Sequence, residues 1–193
     1  MDYIKQIYRN SCSVLICLFV TLFVSCNRVR EKDIIDKIDK MRDKRIIIPF
    51  DKLSCYYSDM LCDTVYHGHE YKYVFFADSN DCTSCVMNSL YDYIEYIENV
   101  TKGRKEKIGF YFIFSPKPKD LAKVKNKVLH SNINYPVYID SAFYFMNNNS
   151  HIPSESMFHT FLINTHDSVV LVGNPVKNRK INDLLSSILE EGE

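Results

Sequence analysis

The chain has 193 residues, of which 24 are lysine or arginine and 24 are aspartate or glutamate, so its formal net charge is zero. This balance gives no support to nucleic acid or an anionic surface as the main partner, since either would favour an excess of basic side chains. The length suits a single domain with a substantial hydrophobic core.

The N-terminus carries a short apolar run behind basic residues. Lys5 and Arg9 precede residues 12–24, which are apolar apart from Ser13 and Thr21. Thirteen residues at helical rise span roughly 20 Å, well short of the roughly 30 Å hydrocarbon core of a bilayer. The pattern is typical of a secretory signal, and a short buried helix of a cytosolic domain is the alternative.

The apolar run ends in Leu-Phe-Val-Ser-Cys, residues 22–26. This stretch resembles the lipobox of bacterial lipoproteins, although Phe23 stands where that motif usually has leucine. The resemblance implies a signal peptide over residues 1–25, cleavage before Cys26 and lipid attached to Cys26. We therefore expect a domain anchored by lipid to a membrane of the cell envelope, on the periplasmic side or the cell surface.

Residues 26–45 are highly charged, with Ile34, Ile35, Ile38 and Met41 at helical spacing. They predict a tether leading into a short amphipathic helix, and a solvated stalk is the alternative. Residues 46–193 are the predicted folded domain. Residues 45–50, at the start of this domain, are interpreted as a short edge strand stopped by Pro49.

The following elements alternate between strand and helix patterns. Residues 71–77 and 108–114 are nearly continuous apolar runs, typical of strands covered on both faces. Apolar spacings of three and four residues predict helices over residues 82–99 and 120–130, and a last helix containing Ile181 to Leu189. Residues 135–140 are extended, and residues 159–164 and 169–173 form a hairpin. The pattern predicts an α/β sandwich with a mixed sheet and helices on both faces.

Four cysteines remain after Cys12 and Cys17 leave with the signal and Cys26 takes lipid. Outside the cytoplasm, such thiols are expected either to pair or to carry out chemistry. Cys55 and Cys62 are predicted to form a structural disulfide. Cys82 and Cys85 enclose Thr83 and Ser84 at the start of a predicted helix.

These features together resemble the thioredoxin-fold redoxins, membrane-tethered thiol–disulfide proteins of bacterial envelopes. The matching features are Cys82-x-x-Cys85 after the first central strand, the Thr-Phe-Leu-Ile-Asn hairpin that starts at Thr160, and the amphipathic last helix. The resemblance implies a thioredoxin-like sandwich that exchanges thiols and disulfides with exported proteins. It implies a membrane-bound electron donor and no cofactor. One departure is that His159 stands where the family usually has a cis-proline, so we expect a trans peptide there.

The redox chemistry of such a pair depends on a thiolate at a helix N-terminus, where unpaired N–H groups and a partial positive charge stabilise it. Cys82 is the predicted nucleophile and Cys85 the predicted resolving thiol. Asp81 is a natural N-cap of this helix. Its carboxylate would compete for the same N–H groups and raise the pKa of the Cys82 thiol, and the alternative is that it only caps the helix. His159 and Thr160 are expected to line the site.

Several alternatives stay open at this point. His159 could tune the thiols, join Cys82 and Cys85 around copper or zinc, or form only a hydrogen bond at a strand end. The fold could then serve as a module that binds a metal or a protein partner without turnover. A four-cysteine zinc site and a ligand pair at His67 and His69 are weaker alternatives. A peroxide-reducing enzyme is disfavoured because the Pro-x-x-x-Thr-x-x-Cys context is missing.

Overall fold

A computed structural model describes residues 29–57, 60–62, 68–80, 83–102, 107–131 and 133–191. The predicted signal peptide and Cys26 lie outside these ranges. Within them, no helix combines the length and the apolar character needed to cross a membrane. The chain divides into two units, Met1–Lys40 and Met41–Glu193.

The charged segment is helical over residues 29–41, which form α1. Within the first unit, the Lys37 ammonium lies 2.8 Å from the Asp33 carboxylate one turn earlier. This spacing of opposite charges stabilises an exposed helix by a few tenths of a kcal/mol.

The second unit is built on a seven-stranded sheet with the order β2-β1-β5-β4-β3-β6-β7. The strands are β1 (Ser54–Tyr57), β2 (Met60–Leu61), β3 (Tyr71–Ala77), β4 (Ile108–Phe114), β5 (Val137–Ile139), β6 (Thr160–Ile163) and β7 (Val169–Val172). The strands β3 and β4 are the central pair, and the burial pattern of β4 shows all seven of its residues buried. This explains why its sequence is an almost unbroken apolar run.

Three α-helices connect these strands: α2 (Thr83–Val100), α3 (Leu121–Leu129) and α4 (Tyr144–Asn148). A further helix, α5 (Arg179–Glu191), follows β7. β3, β4 and β5 pair in parallel, with α2 and α3 as the two crossovers. β6 runs antiparallel to β3 and forms a hairpin with β7. This is an α/β thioredoxin-like fold, as predicted, with a central mixed sheet.

Helices cover both faces of the sheet. On one face, a single apolar cluster joins Phe75 and Phe112 of the strands to buried residues of α2, α3 and α5. On the other face, the ring of Phe145 from α4 lies 4.8 Å from the ring of Phe76 in β3. Successive side chains of β3 point alternately into these two layers. Both faces of β3 are therefore apolar.

Two predictions about the first part of the domain were wrong or incomplete. Residues 46–49 form no strand, and Arg45 makes only an isolated bridge to Ser168. The stretch beyond, for which the sequence predicts no element, contains the β1–β2 hairpin with Tyr56 opposite Leu61. β1 also pairs antiparallel with β5, so the hairpin extends the main sheet.

Candidate functional site

The predicted redox pair lies at the connection between β3 and α2. β3 ends at Ala77, Asp78 accepts a hydrogen bond from the Asn80 amide at 2.6 Å, and α2 begins at Thr83. Cys82 and Asp81 lie outside the described residues. Thr83, Ser84 and Cys85 are the first three residues of α2, and their side chains also lie outside the description. The predicted roles of these five residues therefore stay predictions.

The helix that starts here provides a favourable setting for an anion. α2 is 18 residues long, and its first turn contains no acidic residue. Its first N–H groups have no partner within the helix and carry the positive end of the helix dipole. A thiolate at this end is stabilised relative to the thiol, which lowers the pKa of a cysteine.

His159 lies at the same end of β3 as this connection. Phe75 pairs with Thr160 in the β3–β6 ladder, and the Phe76 amide donates a 2.8 Å hydrogen bond to the His159 carbonyl. The His159 side chain is only 2% exposed, and Thr160 is buried at the start of β6. The backbone of His159 therefore continues the sheet beyond β6, toward the start of α2.

The His159 ring is held by a hydrogen bond to the backbone. Its Nε2 lies 3.0 Å from the Pro153 carbonyl oxygen. Because a carbonyl oxygen only accepts, Nε2 carries the proton and donates it. The ring also lies 5.1 Å from the ring of Phe76. One alternative from the sequence was that His159 forms only a hydrogen bond at a strand end, and that hydrogen bond is present. With the proton on Nε2, Nδ1 of the neutral ring carries the lone pair.

The backbone before Thr160 is trans, as are all the other peptide bonds among the described residues. A short 3₁₀ turn, Ser156–Phe158, leads into His159. The His159 amide donates a 3.1 Å hydrogen bond to the Ser156 carbonyl. A proline at this position could not donate that bond, because it has no N–H group.

A buried carboxylate at the carboxyl ends of β4 and β5 was not recognised from the sequence. Asp140 is fully buried and accepts hydrogen bonds from the amides of Tyr144 at 3.0 Å and Phe145 at 2.8 Å. The Ser115 hydroxyl, also buried, donates to the same carboxylate at 3.2 Å. Asp140 thereby satisfies the first N–H groups of α4 and fixes that helix against the sheet. An aspartate between an extended stretch and a polar loop is the only sequence signal for this role.

The predicted disulfide between Cys55 and Cys62 is present. It joins β1 to the residue after β2, with the two Cα atoms 5.3 Å apart. The Cys62 amide donates a 2.9 Å hydrogen bond to the Cys55 carbonyl, so the two residues face each other across the hairpin. This pairing rules out the four-cysteine zinc site.

The residues that the structure describes contain no group of three His, Cys, Asp or Glu that could hold a metal ion. The alternative site of Cys82, Cys85 and His159 includes a residue outside that description, so it stays untested. A metal there would have to use Nδ1 of His159 or displace the Pro153 hydrogen bond. The other proposed ligand pair lies partly outside as well, since His67 is not described. His69 instead faces the Tyr111 hydroxyl at 2.9 Å.

Comparisons with known proteins found structural likeness only. No family model matches the chain, and no curated protein matches it. A peroxiredoxin Q mutant from Xylella fastidiosa aligns at 13% identity and a TM-score of 0.47, over 79% of this chain and 98% of its own. The bacterioferritin comigratory protein of Xanthomonas campestris aligns at 15% identity and a TM-score of 0.43, over 76% of this chain and 97% of its own. A thioredoxin-like protein from Porphyromonas gingivalis aligns at 13% identity and a TM-score of 0.45, over 78% of this chain and 96% of its own. Likeness at this level concerns the fold alone, which the strand order defines independently.

Proposed function

We propose that this chain is a thiol–disulfide oxidoreductase that acts through Cys82 and Cys85. The observation that carries the proposal is that α2 begins at Thr83, between the two cysteines, directly after the central strand of a thioredoxin-like sheet. The N-terminus of a long helix without a first-turn acid favours the thiolate that such exchange requires.

The proposed reaction has two displacements. The Cys82 thiolate attacks one sulfur of a substrate disulfide, forms a mixed disulfide and releases the other substrate sulfur as a thiolate. Cys85 then loses its proton and attacks the Cys82 sulfur. This releases the second substrate thiolate and leaves the Cys82–Cys85 disulfide. The substrate gains two electrons, and an external dithiol donor must later restore the reduced pair.

His159 is the candidate group for tuning this pair. Its buried ring has a fixed orientation because Nε2 donates to Pro153, and its backbone adjoins the end of β3. We propose that Nδ1 exchanges a proton with the thiols. In a His159→Asn variant, the pH profile of Cys82 alkylation should shift, whereas a Thr165→Ala variant at the hairpin turn should leave it unchanged. An unchanged profile in His159→Asn would contradict the proposal that His159 tunes the thiols.

The test of the oxidoreductase is to trap partners on the full chain in cells. A Cys85→Ala variant cannot resolve mixed disulfides, so it should accumulate them on Cys82. The Cys82→Ala/Cys85→Ala variant should trap none, and Cys55→Ala/Cys62→Ala should retain normal exchange with a disulfide substrate. Trapping that persists without Cys82, or no exchange by the wild type with any disulfide substrate, would contradict the proposal. Hydrogen peroxide should not be consumed, because the peroxidase sequence context is missing.

We further propose that Cys26 is lipid-modified and that the partners are exported proteins carrying thiols or disulfides, with a membrane-bound electron donor. The support is the sequence alone: the apolar run 12–24 followed by Ser25 and Cys26. Metabolic labelling with an alkyne fatty acid should label the wild type in the membrane fraction. A Cys26→Ser variant should be unlabelled, and a Cys17→Ser variant should be labelled normally. Equal labelling of wild type and Cys26→Ser would exclude lipid attachment at Cys26.

A further inference from the structure

The outward surfaces of α2 and α3 carry opposite charges. Between Tyr73 and Thr101 the sequence has five acidic residues and no lysine or arginine. Between Pro116 and Ile139 it has five lysines and a single acidic residue. Although the net charge of the chain is zero, the α2 region is acidic and the α3 region is basic.

The exposed members of these regions form two ridges. We define the acidic ridge as Asp92, Glu95 and Glu98, which follow each other every three residues and are all exposed. Three-residue spacing brings neighbouring side chains onto the same side of α2. We define the basic ridge as Lys117, Lys119 and Lys123, which are exposed at the start of α3 and in the turn before it.

The two ridges lie on neighbouring helices that cover the same face of the sheet. Leu90 and Ile97 of α2 and Val124 and Val128 of α3 belong to one apolar cluster, so the outward surfaces of both helices face away from the same side of the sheet. None of the six ridge residues forms an ion pair within the part of the chain that the structure describes. The acidic ridge lies in the C-terminal half of α2, whereas the basic ridge lies at the N-terminal end of α3. One face of the described fold therefore presents exposed charges of opposite sign at two different positions.

We propose that this face is a self-association surface, on which the acidic ridge of one copy meets the basic ridge of a second copy around a two-fold axis. A two-fold interface brings the same patch of both subunits together, so a patch with one ridge of each sign is complementary to itself. An anionic membrane or nucleic acid would contact the acidic ridge together with the basic one, and repulsion would oppose its binding. The proposal is independent of the chemistry at Cys82.

The test is zero-length carbodiimide crosslinking of the full chain in detergent, which joins a carboxylate to a lysine only when the two are in contact. Equal amounts of unlabelled and ¹⁵N-labelled protein are mixed, and crosslinked peptides with one light and one heavy partner identify contacts between copies. We expect light–heavy crosslinks between the two ridges. Their yield should fall at least about fivefold between 50 and 500 mM NaCl, because exposed charges are screened over that range.

Charge-reversal variants identify the residues involved. Lys119→Glu/Lys123→Glu and Asp92→Lys/Glu95→Lys should each reduce association, and an equimolar mixture of the two variants should restore it as a heterodimer. Lys177→Glu/Lys180→Glu, which changes exposed lysines elsewhere, is the matched control. Circular dichroism and thermal melting confirm that each variant is folded. A folded wild type that gives no light–heavy crosslinks between the ridges overturns the proposal. So does undiminished association of each reversal variant measured alone, or binding to anionic vesicles in place of self-association.

Discussion

Asn149 pairs with Ile47 as a neighbouring strand would. Its side-chain amide nitrogen donates to the Ile47 carbonyl and its side-chain oxygen accepts from the Ile47 amide, both at 2.8 Å. The same nitrogen donates to the Phe145 carbonyl at 2.7 Å, and Asn149 is fully buried. One side chain thus joins the segment before β1 to the end of α4, which the chain itself separates by about a hundred residues.

Replacing Asn149 should destabilise the domain strongly. Asn149→Ala removes three hydrogen bonds and should lower the free energy of unfolding by about 2–3 kcal/mol. Asn149→Asp should cost at least as much, because a buried carboxylate cannot donate to the two carbonyls. Denaturant unfolding of the full chain measures both, with Asn147→Ala, an exposed neighbour, as the control. A loss below about 0.5 kcal/mol in Asn149→Ala would show that solvent replaces these bonds.

The close contact between Gly109 and His69 gives a second prediction. A Cβ atom at position 109 would lie 2.7 Å from Cε1 and 2.8 Å from Cγ of the His69 ring. Gly109→Ala should therefore displace the ring from Tyr111 and destabilise the domain by about 1–2 kcal/mol. His69→Ala removes the obstacle, so the double variant should be more stable than the sum of the single losses implies. Strictly additive losses would show that the ring does not respond to the added methyl group.

The pH dependence of stability follows from the same histidine. Burial, and secondly the positive charge of Lys72, lower the pKa of His69 below its usual 6.5. At a pH between the pKa values of His69 in the folded and unfolded chain, the unfolded chain binds more protons. Stability therefore decreases as the pH is lowered from about 6.5 toward the folded pKa. His69→Asn can still bond to Tyr111 but does not titrate. It should therefore lose less stability than the wild type between pH 7.5 and pH 5.5.

His151 is a second histidine that contributes to the pH dependence. Its pKa is also lowered, first by burial and then by Lys44, so it contributes a dependence of the same sign. His151→Asn should therefore also reduce the loss of stability on acidification. If His69→Asn lost as much stability on acidification as the wild type does, His69 would not be a responsible group.

The disulfide should stabilise the fold without being required for it. In the chain-entropy account, closing so short a loop contributes about 2 kcal/mol. Meanwhile β1 stays paired with β5 through Ser54, Cys55 and Tyr56 whether or not the sulfurs are joined. Cys55→Ala/Cys62→Ala should therefore unfold at lower denaturant concentration while keeping native circular dichroism. Hydrogen exchange should increase mainly at Leu61 and Cys62, and global loss of protection would contradict this expectation.

Much of the fold follows from local patterns in the sequence. The apolar runs 71–77 and 108–114 predict β3 and β4, and spacings of three and four predict α2, α3 and α5, because buried strands and amphipathic helices impose these periods. The disulfide also followed from counting cysteines. β1 and β2 were missed because their residues contain no run of aliphatic side chains like those of β5 and β7. Residues 45–50 look like a strand but have no full ladder partner.

For the candidate site too, some features follow from the sequence and others only from the structure. The Cys-x-x-Cys spacing before a helix and the histidine at the hairpin start can be read from the sequence, and they define the proposed chemistry. The trans backbone before Thr160 also followed from the sequence, since His159 is not a proline. The bond from His159 to Pro153 and the Asp140 carboxylate that holds α4 depend on contacts between segments. Asp140 and Ser115, which share a hydrogen bond, directly follow two different strands, β5 and β4. No periodicity in either strand indicates such a contact.

The sequence by itself determined the types and order of the main strands and helices and the cysteines available for chemistry, because these depend on neighbours a few positions apart. The tertiary structure decided how distant polar groups pair once they are buried. Asn149 with Ile47, Asp140 with α4 and His69 with Tyr111 are such pairs. A buried hydrogen-bonding group must find a partner wherever the folded chain supplies one, and that partner can be any distance away in the sequence.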